Sequence, residues 1–506
     1  MAVTIAGWFL TERVFTPIVF ADEGLLWYNT LQLKEGRIPI VDFNAYDPFR
    51  YYWSLGWMKI FGQGLTGLRL SLAILRFAGL TFALYAARCV TNSASYLSLF
   101  GIANLFWLVP RHKLPDIIVP AVAVLVLFYY LQKPSLHRHF LLGIALGFCA
   151  FVGRNHGLYL ALSFSFAILL VHALGLGSDS LPGRLLYFMG GVGLGYLPML
   201  IMFIFVPGFL AAFIDNVMFL EKLGTTNLAI PIPWPWRVDF SQGYSILLIQ
   251  NLIISSLFLF VPLVYVAESV YMGRKMVRQK KLGSNLLPED YMLLSSILVG
   301  VPYLNHIFSR ADLSHLSQGS LPFWLSLLAV FALWRHRWTW APRVFLAIFL
   351  LCTFFVQVCP TIFWDYWNHP ASGTTVKVRS EAFWATKQTA DLLIALEQTI
   401  AKNSQTDEKL FLAPDLPGLY SLLGIQAPTR NAYFVFYAQN GQQEEVIQDL
   451  ERERVNFALI HNNALDGIKQ RKFSNMYPIL WSYLSAKFVV VDVQELPPTY
   501  VVFRRK

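Results

Sequence analysis

Residues 20–53 read FADEGLLWYNTLQLKEGRIPIVDFNAYDPFRYYW. This stretch carries Asp22, Glu23, Asp42 and Asp47 among aromatic side chains, near the front of a chain that is otherwise mostly hydrocarbon. A polar, carboxylate-rich loop set beside long apolar runs is the signature of chemistry at a membrane face. The rest of the chain decides whether those runs are membrane spans.

They are too frequent for anything else. The 506 residues are 56% hydrophobic, 16% aromatic and 14% charged, with a mean hydropathy of +0.49, which excludes a soluble multidomain protein. Apolar runs of about 17 to 25 residues, enough to cross roughly 30 Å of hydrocarbon as helices, recur as far as Pro360. The expected spans are 1–20, 66–89, 94–110, 115–132, 139–153, 157–175, 185–207, 244–267, 290–308, 317–334 and 343–360, about eleven in all. The first is interrupted by Glu12 and Arg13. It is either a short span whose two charges pair within the protein or part of a span that starts upstream. A cleavable signal peptide is not evident there, because a basic leading region and a small-residue cleavage site are missing.

Orientation follows from the basic residues of the short loops. Lys133, His137 and Arg138, then Arg184, then Arg274, Lys275, Arg278, Lys280 and Lys281, then Arg335 and Arg337 fall on one side, which the positive-inside rule makes cytoplasmic. The N-terminus is then inside, while the first loop (21–65), the Pro- and Trp-rich loop 208–243 and everything beyond Pro360 are outside. Arg111, His112 and Lys113 land outside, against the rule. The net charge of +10 is spread in short clusters between apolar runs rather than on one face, so nucleic acid is not an expected partner. Cys89, Cys149, Cys352 and Cys359 lie within or beside apolar runs and imply no disulfide framework.

Beyond a linker at 361–376 the composition becomes soluble. DEKLFLAPDLPGLYSLLG (407–424) reads as strand, turn and helix, EEVIQDLERERVNFALIHN (444–462) as helix and strand, and KFVVVDVQELPPTYVVFRRK (487–506) as two closing strands. The expected architecture is therefore a polytopic α-helical membrane domain over 1–360 with a small extracytoplasmic α/β domain over 377–506. Broken mid-membrane helices and internal repeats, which mark many transporters, are not expected.

An ionisable side chain at membrane depth costs about 2.5 to 3.5 kcal/mol, so those at span ends need a reason. Asp22 and Glu23, then Arg111, Lys113 and Asp116, then Arg154 in GRNHGLY, then Arg310, Asp312 and His315 in SRADLSH all fall near the outer face. Helix packing is expected to gather them at a common cavity. Carboxylates there suit a general base, guanidinium and ammonium groups a phosphate, and Tyr28, Tyr46, Tyr51, Tyr52 and Trp53 a sugar ring. Each has a plainer alternative: loop carboxylates are mostly solvated, arginines snorkel to headgroups, and His156 and His315 are more often packing residues than ligands. The His, Cys, Asp and Glu spacings form no specific metal signature, although a carboxylate-bound divalent cation is compatible with the acidic loop.

In order, FADEG (20–24), GRIPIVDF (36–43), AYDPFRYYW (45–53) and FGQGLTGLR (61–69) resemble the front of the GT-C membrane glycosyltransferases, the relatives of protein O-mannosyltransferases and lipid A aminoarabinose transferases. GFCAFVGRNHGLY (147–159) resembles a further segment of that family. Ile40 stands where the family usually has Tyr, and AYDPF replaces YPPG. The resemblance implies a GT-C fold and transfer of a sugar from a polyprenyl-phosphate donor to a glycan, lipid or protein acceptor, with inversion. It maps the essential carboxylate onto Asp22, with Glu23 beside it, a second acidic residue onto Asp116, and donor-phosphate binding onto Arg154 and Arg310, with Arg111 and Lys113 as rivals. Asp42, Tyr46, Asp47, Tyr51, Asp312 and His315 are the candidate sugar or acceptor contacts. The alternatives are a lipid-carrier or solute transporter, in which the same charges line a path, and a glycan polymerase or ligase using a pyrophosphate-linked lipid.

Overall fold

The computed structural model describes residues 18–176, 179–223, 228–241, 245–282, 286–335, 337–363, 373–379, 381–403, 408–493 and 496–506. Most of the expected first span lies outside them. In chain order the helices are α1 (Asp22–Lys34), α2 (Phe49–Phe61), α3 (Leu65–Arg88), α4 (Ala94–Trp107), α5 (Leu114–Gln132), α6 (Leu136–Val152), α7 (Arg154–Ala173), α8 (Leu181–Gly195), α9 (Leu197–Phe205), α10 (Phe209–Leu223), α11 (Ile246–Leu282), α12 (Pro288–Ser309), α13 (Leu313–Gly319), α14 (Leu321–Trp334) and α15 (Ala341–Thr353). Then follow β1 (Gly373–Val378), β2 (Glu381–Thr386), α16 (Lys387–Asn403), β3 (Leu410–Ala413), α17 (Pro417–Leu423), α18 (Asn440–Arg452), β4 (Phe457–His461), α19 (Phe473–Met476), α20 (Pro478–Lys487), β5 (Phe488–Val491) and β6 (Tyr500–Arg505).

The chain divides into two compact units, Leu72–Asn368 and a second that combines Ala2–Ser71 with His369–Lys506. The expected boundaries near 360 and 377 follow composition. The observed grouping puts the acidic N-terminal stretch with the C-terminal residues.

The first unit is helical. Among the described residues, six helices are long and apolar enough to cross a membrane, or up to eight if each of two bent pairs is one span. Apart from the first, each expected span falls on a helix. The absence of broken helices was the wrong expectation: α8 and α9 meet at 62°, and α13 and α14 at 54°. Pro198 and Pro322 stand in the first turn of α9 and α14, where a missing N–H costs nothing to the new helix but ends the old one. The loop 208–243 also departs from expectation, because α10 occupies its first half. The expected span 244–267 continues to Leu282 as one 37-residue helix, and Lys275 on its last turns meets the buried Asp290 of α12 at 2.5 Å. Helices α6 and α8 pack backbone to backbone: a Cβ on Gly143 or Gly147 would lie 2.0–2.3 Å from carbonyl oxygens of α8, and one on Gly191 or Gly195 equally close to those of α6. Small residues at such spacing let membrane helices approach without side chains between them. An aromatic core joins α4, α14 and α15 through Trp107, Trp324 and Phe349, and Trp107 Nε1 donates to Thr353 Oγ1 at 2.9 Å.

In the second unit, β3 and β4 are parallel, β4 and β6 antiparallel, and β6 and β5 antiparallel, giving the order β3-β4-β6-β5. The expected strands and helices over 407–506 are all present. The hairpin of β1 and β2 and the helices α16 and α20 add to them. The stretch expected to be a first outer loop holds two helices instead, α1 and α2. Glu23 to Thr30 are buried along α1 whether apolar or polar, so it lacks the one-sided apolar stripe that announces a surface helix.

Candidate functional site

The acidic stretch is built into the second unit from both ends of the chain. Asp22 and Glu23 open α1, where carboxylates suit the exposed N–H groups of a first turn. Gly24 explains the third position of the DEG run: a Cβ there would sit 2.5 Å from Gly418 Cα, so a glycine on each side is what lets α1 lie against α17. The neighbouring acids then part company. Glu23 is 1% exposed and both its oxygens are held by Arg69, at 2.9 Å from Nε and 2.9 Å from Nη2. Arg69 is the last residue of FGQGLTGLR, so two of the ordered motifs are the halves of one buried ion pair. Asp22 is half-buried, and its Oδ1 accepts a 3.0 Å hydrogen bond from the hydroxyl of Tyr433. Burial pushes the Tyr433 phenol well above its ordinary pKa, with the Asp22 charge adding to it, so the hydroxyl keeps its proton and donates.

The loop after α1 is clamped by the same region. Asp42 Oδ2 accepts from Ile38 N–H at 2.7 Å and closes a tight turn in which Ile40 takes φ 73°, a costly conformation for a β-branched residue. Arg430 donates to the Ile40 carbonyl, Asn44 N–H to the Arg430 carbonyl, and Arg37 to Gln426. Tyr51 is fully buried, and its hydroxyl accepts from Tyr46 N–H at 3.0 Å and Asn29 at 3.3 Å. The Arg50 guanidinium lies 4.9 Å over the Tyr46 ring, and Asp47 is 7% exposed.

The remaining candidates belong to the first unit, where a chain of imidazoles links most of them. Asp116, in the first turn of α5 and 6% exposed, meets His156 Nε2 at 3.2 Å. The other ring nitrogen of His156 lies 2.8 Å from the Tyr303 hydroxyl. The His156 and His306 rings are 6.2 Å apart and those of His306 and His315 5.3 Å. His306 Nε2 meets Gln318 Oε1 at 3.1 Å. Asp312 closes the row: its Oδ1 caps α13 by accepting from His315 N–H at 2.8 Å, and its Oδ2 accepts from Arg310 Nε at 2.7 Å. Burial pushes Asp312 up, but the bonds from His315 and Arg310 outweigh it and hold the carboxyl at about 2. Arg310 also donates to the Leu228 carbonyl at 3.0 Å. Arg154 begins α7 after the extended Gly153, with its guanidinium 5.3 Å from the Phe213 ring of α10. Arg111 and Lys113 sit in a short 3-10 turn leading into α5, Arg111 buried.

Thus Asp22, Glu23, Asp42, Tyr46, Asp47 and Tyr51 fall in one unit, and Asp116, Arg111, Lys113, Arg154, Arg310, Asp312 and His315 in the other. Reading the sequence missed Arg69, Tyr433, Tyr303, His306 and Gln318. His156 is a packing histidine by its sequence setting, whereas His315 is a candidate sugar or acceptor contact with packing as the plainer alternative. A signal for the histidines was present, since His306 and His315 bracket SRADL on facing ends of α12 and α13. Among the described residues no three His, Cys, Asp or Glu side chains are grouped as a metal-holding set.

No family model and no curated protein matches the chain. Among solved structures it is similar to the crystal structure of ArnT from Cupriavidus metallidurans bound to undecaprenyl phosphate, at 15% identity and TM-score 0.49, covering 99% of this chain and 96% of that one. It is also similar to the archaeal oligosaccharyltransferase AglB from Archaeoglobus fulgidus in complex with an inhibitory peptide and a dolichol-phosphate, at 12% identity and TM-score 0.47, covering 99% of this chain and 75% of that one.

Proposed function

We propose that this protein is a glycosyltransferase of the cell membrane that moves a sugar from a polyprenyl-phosphate donor to a glycan, lipid or protein acceptor at the outer face, with inversion. The observation that carries the reading is the unequal treatment of two adjacent acids: Glu23 is consumed by Arg69, while Asp22 is oriented by Tyr433. A half-buried carboxylate that accepts a hydrogen bond from a phenol is suited to a base. The ordered loop motifs support the same class.

In this reading an acceptor hydroxyl gives its proton to Asp22 as its oxygen bonds to the anomeric carbon. The bond from that carbon to the phosphate oxygen breaks, and the polyprenyl phosphate leaves with the electron pair. By the sequence resemblance alone, Arg154 and Arg310, with Arg111 and Lys113, are assigned to the donor phosphate. Asp116, linked to His156, is assigned a second acid–base or orienting role, and Asp42, Tyr46, Asp47, Asp312 and His315 substrate contacts. Tyr51, fully buried with its hydroxyl engaged, is assigned to holding the loop. The positive-inside pattern of the sequence supports assigning the N-terminus to the cytoplasm and the α/β domain to the outside.

The test is mass spectrometry of the purified protein in lipid with a panel of polyprenyl-linked sugars, for wild type and Asp22→Asn. Consumption of a monophosphate-linked sugar by wild type and its loss in the variant is the expected result. Consumption of a pyrophosphate-linked glycan instead would favour a polymerase or ligase. The two bent helix pairs favour a second reading, a lipid-carrier transporter. Translocation in liposomes without a new glycosidic bond would establish it.

A further inference from the structure

The parallel strands β3 and β4 end side by side, with Ala413 paired to Ile460. The residues that follow β3 and β4 therefore start from the same edge of the sheet. Asp415 follows β3 by two residues and His461 is the last residue of β4. Asp415 Oδ1 lies 3.0 Å from His461 Nδ1. In the neutral tautomer that donates from Nδ1 to Asp415, the Nε2 lone pair is left for a ligand. Among the described residues Nε2 has no hydrogen-bond partner. The ring is also fixed in plane: His461 is paired across the sheet with Tyr500, and the two rings stack at 4.4 Å and 14°. The side chains of His461 and Asp415 are 17% and 19% exposed, enough to be reached and too little to move freely.

This group is in the same unit as the proposed base. Gly418, three residues after Asp415, donates its N–H to the Phe20 carbonyl beside Asp22. Phe434, next to Tyr433, donates its N–H to the Pro414 carbonyl beside Asp415. Two short backbone bridges therefore tie the strand ends to both partners of the Asp22–Tyr433 hydrogen bond.

We propose that His461, oriented by Asp415 and backed by Tyr500, is a binding subsite for the hydroxyl groups of a saccharide acceptor. An imidazole lone pair accepts a sugar hydroxyl, the carboxylate behind it accepts a second, and an aromatic edge lies along the ring's apolar face. A peptide or lipid tail presents no such set of neighbouring hydroxyls. This deepens the glycosyltransferase reading by naming the acceptor as a glycan, and it rests on that reading. His461 binds and does not take the proton, which goes to Asp22.

The experiment uses the full chain in nanodiscs on an array of immobilised hexose, heptose, pentose and N-acetylhexosamine oligosaccharides, alongside the donor-consumption assay. Wild type should bind one class of glycan on the array. His461→Ala should lose at least tenfold in that binding, and Asp415→Asn part of it. His461→Gln, which keeps a hydrogen-bond acceptor, should recover some. Thermal unfolding of each variant reports folding. Binding of no array glycan by wild type, or equal binding by a folded His461→Ala, overturns the subsite. Failure of wild type to consume any lipid-linked sugar overturns the transferase reading separately, since glycan binding is read without turnover.

Discussion

The hydroxyl of Tyr433 donates a 3.0 Å hydrogen bond to Asp22 Oδ1 across 411 residues of sequence. The bond gives the C-terminal residues a direct hand in positioning the carboxylate assigned as base. A hydrogen bond to an ionised group is worth about 1.5 to 3 kcal/mol. Tyr433→Phe keeps the ring and its burial while removing that bond. Turnover of the lipid-linked donor should therefore fall roughly 10- to 100-fold with acceptor affinity little changed. Unaltered turnover would show that Asp22 needs no such orientation.

Glu23 and Arg69 make a second prediction. Removing one partner of a buried ion pair strands the other charge and costs roughly 3 to 5 kcal/mol, whereas replacing both with apolar side chains of similar volume is often close to neutral. Arg69→Met should lower the thermal unfolding midpoint sharply, and Glu23→Met should do the same. The double variant should be more stable than either. If the double variant is the least stable of the three, the pair is not the closed structural unit its geometry indicates.

The C-terminal strands were legible because short apolar runs between Pro and Gly turns carry their own period. The membrane helices were legible from length alone. The acidic stretch was not, since α1 buries Asn29 and Gln32 as fully as Leu26 and Trp27 and so shows no helical stripe. Its surroundings come from Gly418, Arg430 and Tyr433, and no local pattern reports a partner some 400 residues away. The bent pairs were visible in principle at Pro198 and Pro322, but a proline inside an apolar run reads equally as a kink or as nothing. In the first unit, Asp116, Arg111, Lys113, Arg154, Arg310, Asp312 and His315 could be named from sequence as candidates. The imidazole row that joins Asp116 to Asp312 depends on how α5, α7, α12 and α13 pack.

Asp312 links pH to stability. Its carboxyl is held at about 2, below the ordinary 3.8, so the native state favours the ionised form. The stabilisation is fully present above about pH 4 and is lost as the pH falls toward 2. At 1.36 kcal/mol per pH unit it amounts to roughly 2 kcal/mol. Unfolding midpoints measured from pH 6 down to pH 2 should fall less steeply for Asp312→Asn than for wild type in the lower half of that range. Parallel curves would mean that His315 and Arg310 do not bias the carboxyl.

Gly24 and Gly418 set how closely α1 and α17 approach. A Cβ on Gly24 would stand 2.5 Å from Gly418 Cα, and one on Gly418 would stand 3.1 Å from Gly24 Cα and from Phe20. Backbone cannot rotate out of the way as a side chain can, so Gly24→Ala must push the two helices apart. Such overpacking costs on the order of 1 to 3 kcal/mol. Gly418→Ala, with the looser fit, should cost less. Because one displacement makes room for both methyl groups, the double variant should cost less than the sum of the singles. The same displacement shifts Asp22, two residues before Gly24, relative to Tyr433. Gly24→Ala should therefore lower turnover even in molecules that remain folded, and Tyr433→Phe should add little further loss on that background. Full additivity of the two variants in turnover would separate the glycine contact from the orientation of Asp22.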